Sequence, residues 1–209
     1  MNMSAKPRKH KIALLPGDGI GPEVTEQAIK VLDAVSDRFG HLFEYCHGDV
    51  GAIAIERHGD PLPEETLEAC MNAEAVLFGA IGDPKYDNNP AAHIRPEQGL
   101  LRLRKSLGLF ANLRPVKTYQ QLLHLSPLRE PIVQGVDFVI YRELTGGIYF
   151  GDKGRTEDGL AAYDHCNYHR AEIERIAHLA FRQARERRGK VTLVDKANVL
   201  ETSRLWRAA

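Results

Sequence analysis

Three rhythms of apolar and polar positions run along this chain. Residues 11–16 (KIALLP) and 75–80 (AVLFGA) are short apolar runs without alternation, the texture of buried strands. Gly17, Asp18, Gly19, Ile20 and Gly21 close the first run, and Pro22 and Glu23 follow. That order predicts a glycine turn opening a helix, with proline near its first position. Val24, Ala28, Val31, Leu32 and Val35 recur at helical spacing and form the expected stripe of that helix, with Gly40 as its stop. Residues 43–47 alternate weakly, as a strand does, and 63–72 read as a short helix with acidic residues in its first turn. Strand, helix, strand, helix, strand predicts a parallel α/β layer.

The pattern breaks over residues 81–95, which are polar and rich in Gly, Pro and Asn. A loop of that length in a compact domain is commonly functional. Pro96 opens a helix reaching about Leu107. Residues 137–142 and 147–150 read as strands, and the glycine-punctuated stretch 151–168 as an extended arm. Residues 169–188 form a helix with Ile173, Ile176, Ala177, Ala180, Phe181 and Ala184 on one stripe, a basic end, and Gly189 behind it. Residues 191–194 read as a further strand, and a last helix starts near Ala197.

A chain of 209 residues fits one large or two small domains. The 28 basic and 28 acidic residues balance, and without a basic excess there is no signal for nucleic-acid binding. Cys46, Cys70 and Cys166 are far apart with no CxxC, so reduced thiols of a cytoplasmic protein are expected. The basic start lacks the apolar core of a secretory signal. No apolar run approaches the roughly 18 residues of a membrane span.

Chemistry concentrates in a few places. Glu97, Leu100, Leu101 and Arg104 share one helix face. That face is either a core stripe edged by charge or a surface for a ligand with an alkyl branch and a carboxylate. Arg114 and Arg142 offer the planar fork that grips carboxylates, and Arg142 stands where an apolar run meets Thr145, Gly146 and Gly147. Tyr149 is either a half-buried strand tyrosine or a proton donor. Lys196 is either a surface lysine or a base whose pKa is lowered at a strand end. The Gly17–Gly21 turn suits a phosphate or a tight strand-to-helix turn, and it is not GxGxxG. No HExxH, GxSxG or P-loop occurs.

Five runs together resemble the β-decarboxylating dehydrogenases, the isocitrate/isopropylmalate dehydrogenase family. They are LPGDGIGPE (15–23), PEQGLLRLRK (96–105), LFANLRPVK (109–117), RELTGGIYFG (142–151) and DKANVLETSRLWR (195–207). They stand in the family's order and spacing and span the chain from about Lys11. The resemblance implies an α/β, isopropylmalate/isocitrate dehydrogenase-like fold. Its first domain, on the cofactor side, would have a parallel sheet and span 11–109. Its second, dimerisation and substrate domain would have a mixed sheet and span 110–209 with an arm at about 151–168. Both would be incomplete in this chain.

The activity implied is NAD-dependent oxidative decarboxylation of (2R,3S)-3-isopropylmalate to 2-ketoisocaproate, in leucine biosynthesis, by a homodimer. Hydride passes from C2 to NAD, and a divalent Mg²⁺ or Mn²⁺ acts as Lewis acid on the enolate left by decarboxylation. Arg104, Arg114 and Arg142 would clamp the malate carboxylates. Leu100, Leu101 and Val199 would border the substrate. Glu97, Asp83, Pro84, Lys85, Tyr86 and Asn198 would lie on the cofactor side. Tyr149 would reprotonate the enolate carbon, and Lys196 would act as base in a neighbouring subunit's site. The departure of Gly82-Asp83-Pro84-Lys85-Tyr86 from the common Gly-Gly-Pro-Lys-Trp falls in the cofactor loop. Sister enzymes take isocitrate, homoisocitrate or tartrate, but Leu100 and Leu101 favour an alkyl branch. The family's metal-binding aspartates are expected beyond Ala209, with none in this chain. The expectation is therefore a truncated dehydrogenase that turns nothing over alone; the alternative is a non-catalytic fragment that binds a partner.

Overall fold

Burial on both faces explains why residues 11–16 carry no alternation. Strand β1 (Arg8–Gly17) is the middle of a three-stranded parallel sheet, between β2 (His41–His47) and β3 (Ala75–Ala80). The computed structural model describes residues 8–87 and 93–209, and the chain divides into two compact units, residues 1–107 and 108–209. Ala13 pairs with Cys46 on one side and Val76 on the other. Ala13, Leu14 and Leu15 are fully buried. Ala13 and Leu15 join Val50, Leu62, Leu67, Cys70 and Leu103 in the core of the first unit.

Helices fill the connections: α1 (Gly21–Phe39), α2 (Ala52–His58), α3 (Glu64–Met71), α4 (Pro84–Asp87) and α5 (Pro96–Ser106). Helix α1 ends at Gly40 in the left-handed conformation. Its buried face is rotated from the expected stripe: Thr25 is buried, whereas Val24 and Val31 are exposed, Val31 by 64%. Close backbone approach sets that rotation. A Cβ on Gly21 would lie 2.0 Å from the Pro16 carbonyl oxygen, and one on Gly79 would lie 2.3 Å from the same atom and 2.7 Å from Thr25 Oγ1. The helix docks through its smallest residues, Val24 and Val31 are turned away, and Ala28, Leu32 and Val35 of the expected stripe are partly buried. Within the loop at 81–95 a short helical turn, α4, forms; residues 88–92 lie outside the described residues.

In the second unit β4 (Ala111–Lys117) and β5 (Asp137–Glu143) form an antiparallel pair. A 3₁₀ turn (Gln120–Leu125) and α6 (Glu130–Val133) lie between them. The arm contains a small antiparallel hairpin, β6 (Lys153–Arg155) and β7 (Ala162–Asp164). Helix α7 (Arg170–Glu186) packs on β5; its Ile173 and Ile176 are buried, while Phe181 of the expected stripe is exposed. The Tyr141 hydroxyl donates to Gln183 Oε1 at 3.3 Å, tying the two elements. Helix α8 (Glu201–Ala208) follows, and Trp206 meets Tyr168 edge to face at 5.5 Å.

Three segments differ from the sequence expectation. Residues 147–150 form a turn with a single bridge from Gly147 to Asn167, not a strand. Residues 191–194 form no strand, and Val194 is 91% exposed. Apolar, β-branched composition favours a strand only where another strand supplies hydrogen-bond partners, and the described residues supply none to this segment. The last helix begins at Glu201, because residues 197–199 form a turn. Among the described residues no helix is long and apolar enough to cross a membrane.

Candidate functional site

The antiparallel register puts two of the arginines singled out above on one face. Asn112 lies opposite Arg142, and Arg114 opposite Ile140; residues opposite each other project to the same side. Asn112, Arg114 and Arg142 therefore share the face away from Tyr141, whose own face α7 covers. The Arg114 Nε–H donates to Asn112 Oδ1 at 2.7 Å. The Arg142 guanidinium stands 5.0 Å from the centre of the Tyr149 ring. Its hydrogen bond and its charge hold the Tyr149 hydroxyl below the usual phenol range, and Arg114 adds to the effect. Burial opposes the shift weakly, since Tyr149 is exposed.

A buried carboxylate shapes the turn that carries Tyr149 back to Arg142. Glu143, only 6% exposed, accepts the backbone N–H of Thr145 at 2.9 Å and of Gly146 at 2.7 Å. It also accepts the Thr145 hydroxyl at 3.1 Å and Arg175 Nη2 at 2.5 Å. Arg175 reaches in from α7, donates to Thr145 Oγ1 at 2.5 Å, and lies 4.7 Å from the Phe110 ring centre. Leucine 144, between these anchors, is buried.

Lys196, Asn198 and Val199 lie in the exposed segment between α7 and α8. Asp195 pins that segment by accepting the Arg207 guanidinium at 2.6 and 3.0 Å and the Ala197 N–H at 3.1 Å. The Arg207 hydrogen bond holds the Asp195 carboxyl below its usual range. The Lys196 backbone N–H donates to Ser203 Oγ at 3.1 Å, and its side chain is exposed. The desolvation argued for it from a strand end is not found within this unit, because there is no strand and no apolar cover.

In the first unit, α5 separates its two faces clearly. Pro96, Gly99 and Leu103 are buried, with Leu103 in the core and Gly99 so close to Pro61 that a Cβ would meet its carbonyl oxygen at 2.4 Å. Glu97 is exposed, and Leu100, Leu101 and Arg104 are partly exposed. The 97–100–101–104 face is thus not the core stripe of this helix. Next to it, Gly82 has φ of +121°, and among the described residues Glu97 Oε1 stands 3.4 Å from where its Cβ would be. Asp83, Pro84, Lys85 and Tyr86 continue from there. Lys85 pairs with Glu56, and Arg95 donates to the Tyr86 carbonyl at 2.8 Å. A carboxylate beside backbone of this kind can accept hydrogen bonds from hydroxyl groups.

The glycine turn 17–21 places a buried carboxylate at the end of β1. Asp18 accepts the N–H groups of Ala52 at 2.8 Å, Ile53 at 3.0 Å and Gly82 at 3.0 Å, tying the turn to the start of α2 and to the end of β3. A Cβ on Gly17 would lie 1.9 Å from the Ala80 carbonyl oxygen, so this glycine serves strand packing. Among the described residues no group of three His, Cys, Asp or Glu side chains converges as a metal site.

Sequence reasoning missed Asp18, Glu143 and Arg175. The signal for Glu143 was present, since an acid at a strand end beside a Thr-Gly-Gly turn can accept the turn's own N–H groups, whereas the donors of Asp18 come from Ala52, Ile53 and Gly82, far along the chain. Nothing local pairs Arg175 with Glu143, 32 residues earlier.

The isocitrate/isopropylmalate dehydrogenase family model matches residues 11–209. The chain is 57% identical over 197 residues to a 3-isopropylmalate dehydrogenase of Bacteroides fragilis, covering 94% of this chain and 55% of that protein. It is 59% identical over 201 residues to one of Geobacillus kaustophilus, covering 95% and 54%. Among solved structures, an isocitrate dehydrogenase from Methylococcus capsulatus superposes with a TM-score of 0.78 at 33% identity, over 95% of this chain and 55% of that one. A β-decarboxylating dehydrogenase from Thermococcus kodakarensis gives 0.66 at 36% identity, over 95% and 52%. The chain spans about half the length of the curated relatives it matches. With the fold, the family model and these identities in agreement, the chain belongs to the isocitrate/isopropylmalate dehydrogenase family.

Proposed function

We propose that this chain carries substrate-gripping and proton-handling residues for the NAD-dependent oxidative decarboxylation of (2R,3S)-3-isopropylmalate to 2-ketoisocaproate, a cytoplasmic step of leucine biosynthesis. The supporting observation is the grouping of Arg114, Arg142 and Tyr149 at the uncovered face of β4–β5. Two guanidinium forks suit a dicarboxylate, each able to hold a carboxylate through two parallel hydrogen bonds. Arg104, on the first unit, has the same role. Leu100 and Leu101, kept out of the core, meet the isopropyl branch. A third carboxylate, as on isocitrate, would want a hydroxyl or a cation there.

NAD, when bound, supplies the hydride acceptor for C2. Glu97, Asp83, Pro84, Lys85, Tyr86 and Asn198 hold and orient it. Tyr149 delivers the proton to the carbon left by decarboxylation; a phenol whose proton is loosened by a neighbouring cation is a better acid near neutral pH. Lys196 takes the C2 hydroxyl proton, and Val199 borders the substrate. The exposure of 196–199 suits a segment that enters the site of a second copy, so a homodimer is the proposed working unit. A bound Mg²⁺ or Mn²⁺ would supply Lewis acidity toward the enolate, and none of the residues named above is assigned to hold it.

Calorimetric titration with 3-isopropylmalate and isocitrate tests the reading. Preferential binding of isopropylmalate, weakened in Arg142→Gln, is expected. Preference for isocitrate overturns the substrate, and failure of both to bind overturns the site.

A further inference from the structure

We propose that Glu143 is a positioning residue: its buried carboxylate, anchored by Arg175, folds the 143–146 turn so that Tyr149 rests over Arg142. This deepens the proposed function, since it concerns how that site's phenol and cation are held together.

Glu143 is the last residue of β5 and follows Arg142 directly. Side chains alternate along a strand, so Glu143 points away from the Arg142 face, toward the side covered by α7. There it collects four hydrogen bonds, from the Thr145 and Gly146 N–H groups, the Thr145 hydroxyl and Arg175. Two are backbone donors two and three residues ahead, which closes the chain into a tight turn as soon as the strand ends. The reversal continues at Gly147, whose N–H donates to the Asn167 carbonyl at 2.8 Å, and brings Tyr149 back over Arg142. Lys153 Nζ donates to the Tyr149 carbonyl at 3.1 Å and holds the far side.

An acidic residue is needed for this task. A carboxylate presents two acceptor oxygens with several lone pairs and can serve four donors at once. Burial of that charge demands a partner, and Arg175 provides it from α7. The guanidinium is itself shared with Thr145 Oγ1 and stacked on Phe110. The turn is therefore referenced to the long helix and not only to its own strand.

The experiment is a spectrophotometric phenolate titration of the full chain, with Tyr149→Phe identifying the contribution of Tyr149. In the unmodified chain Tyr149 titrates below the ordinary tyrosine range. In Glu143→Ala its midpoint moves up toward that range, and hydrogen exchange at the Thr145 and Gly146 amides accelerates. Glu143→Gln retains an oxygen acceptor for the two amides and largely restores the wild-type midpoint. Loss of packing alone would lower Tm without moving the Tyr149 midpoint at a temperature well below Tm. If Glu143→Ala does not fold, isosteric Thr145→Val, which removes the hydroxyl shared by Glu143 and Arg175, takes its place with the same upward shift expected. An unchanged Tyr149 midpoint in the folded variant overturns the proposal. The titration uses neither substrate nor cofactor, so failure to bind isopropylmalate would count against the proposed function and leave this result standing.

Discussion

At the scale of single residues, charge and hydrogen bonding do most of the placing. Arg142 both lies on the β5 face proposed for substrate and depresses the Tyr149 hydroxyl. Replacing it with Gln removes a charge-assisted contact of about 1.5–3 kcal/mol, so 3-isopropylmalate affinity should fall roughly 10- to 100-fold at about 1.4 kcal/mol per decade. In the same variant the Tyr149 titration should rise toward the ordinary range; a Tyr149 midpoint that stays low would show that another cation sets it. Asp18 is the corresponding anchor of the first unit. Asp18→Ala leaves three N–H groups without their acceptor, and an unsatisfied buried group costs about 1–3 kcal/mol. A clear fall in Tm is expected, together with faster exchange at the Gly82 amide, and Tm within a degree of wild type would refute that role.

At the scale of elements, α5 shows how one helix serves two purposes. Its buried side, Pro96, Gly99 and Leu103, is structural, and its 97–100–101–104 side, outside the core, is the proposed ligand face. Leu103→Ala should cost about 2–5 kcal/mol, the usual range for a truncated core leucine, measured by denaturant unfolding. Leu100→Ala should cost much less stability and weaken isopropylmalate binding instead. The opposite ranking of the two stability losses would mean that the faces have been assigned the wrong way round.

At the scale of the whole molecule, pH acts on both units through paired carboxylates. Burial raises the Asp49 carboxyl, but hydrogen bonds from His58 and Arg57 outweigh it and leave it lowered. Hydrogen bonds from Arg187 and Arg207 lower Asp137 and Asp195. A folded-state pKa below the unfolded one contributes stability that is present above the unfolded value and lost as pH falls through the folded one. Tm should therefore decline on acidification below about pH 5, and Asp49→Asn, Asp137→Asn and Asp195→Asn together should flatten that decline. A profile unchanged by the triple substitution would place the acid sensitivity elsewhere.

The sequence by itself determined the parallel layer around β1, because a strand buried on both faces must read as an unbroken apolar run. It determined the position of α5 and α7 through their period and caps, and it marked Arg114, Arg142 and Tyr149 through their setting in RELTGGIYFG and the run before it. Tertiary structure alone decided three matters. Close contact of Gly21 and Gly79 with Pro16 fixed the rotation of α1 and exposed Val24 and Val31, since backbone approach overrides side-chain periodicity. Among the described residues no strand pairs with 191–194, which are coil despite their β-rich composition, since a strand exists only with a neighbour. Arg175 meets Glu143 through the packing of a helix on a strand 32 residues away, and such a long-range ion pair has no periodicity along the chain by which it could be read.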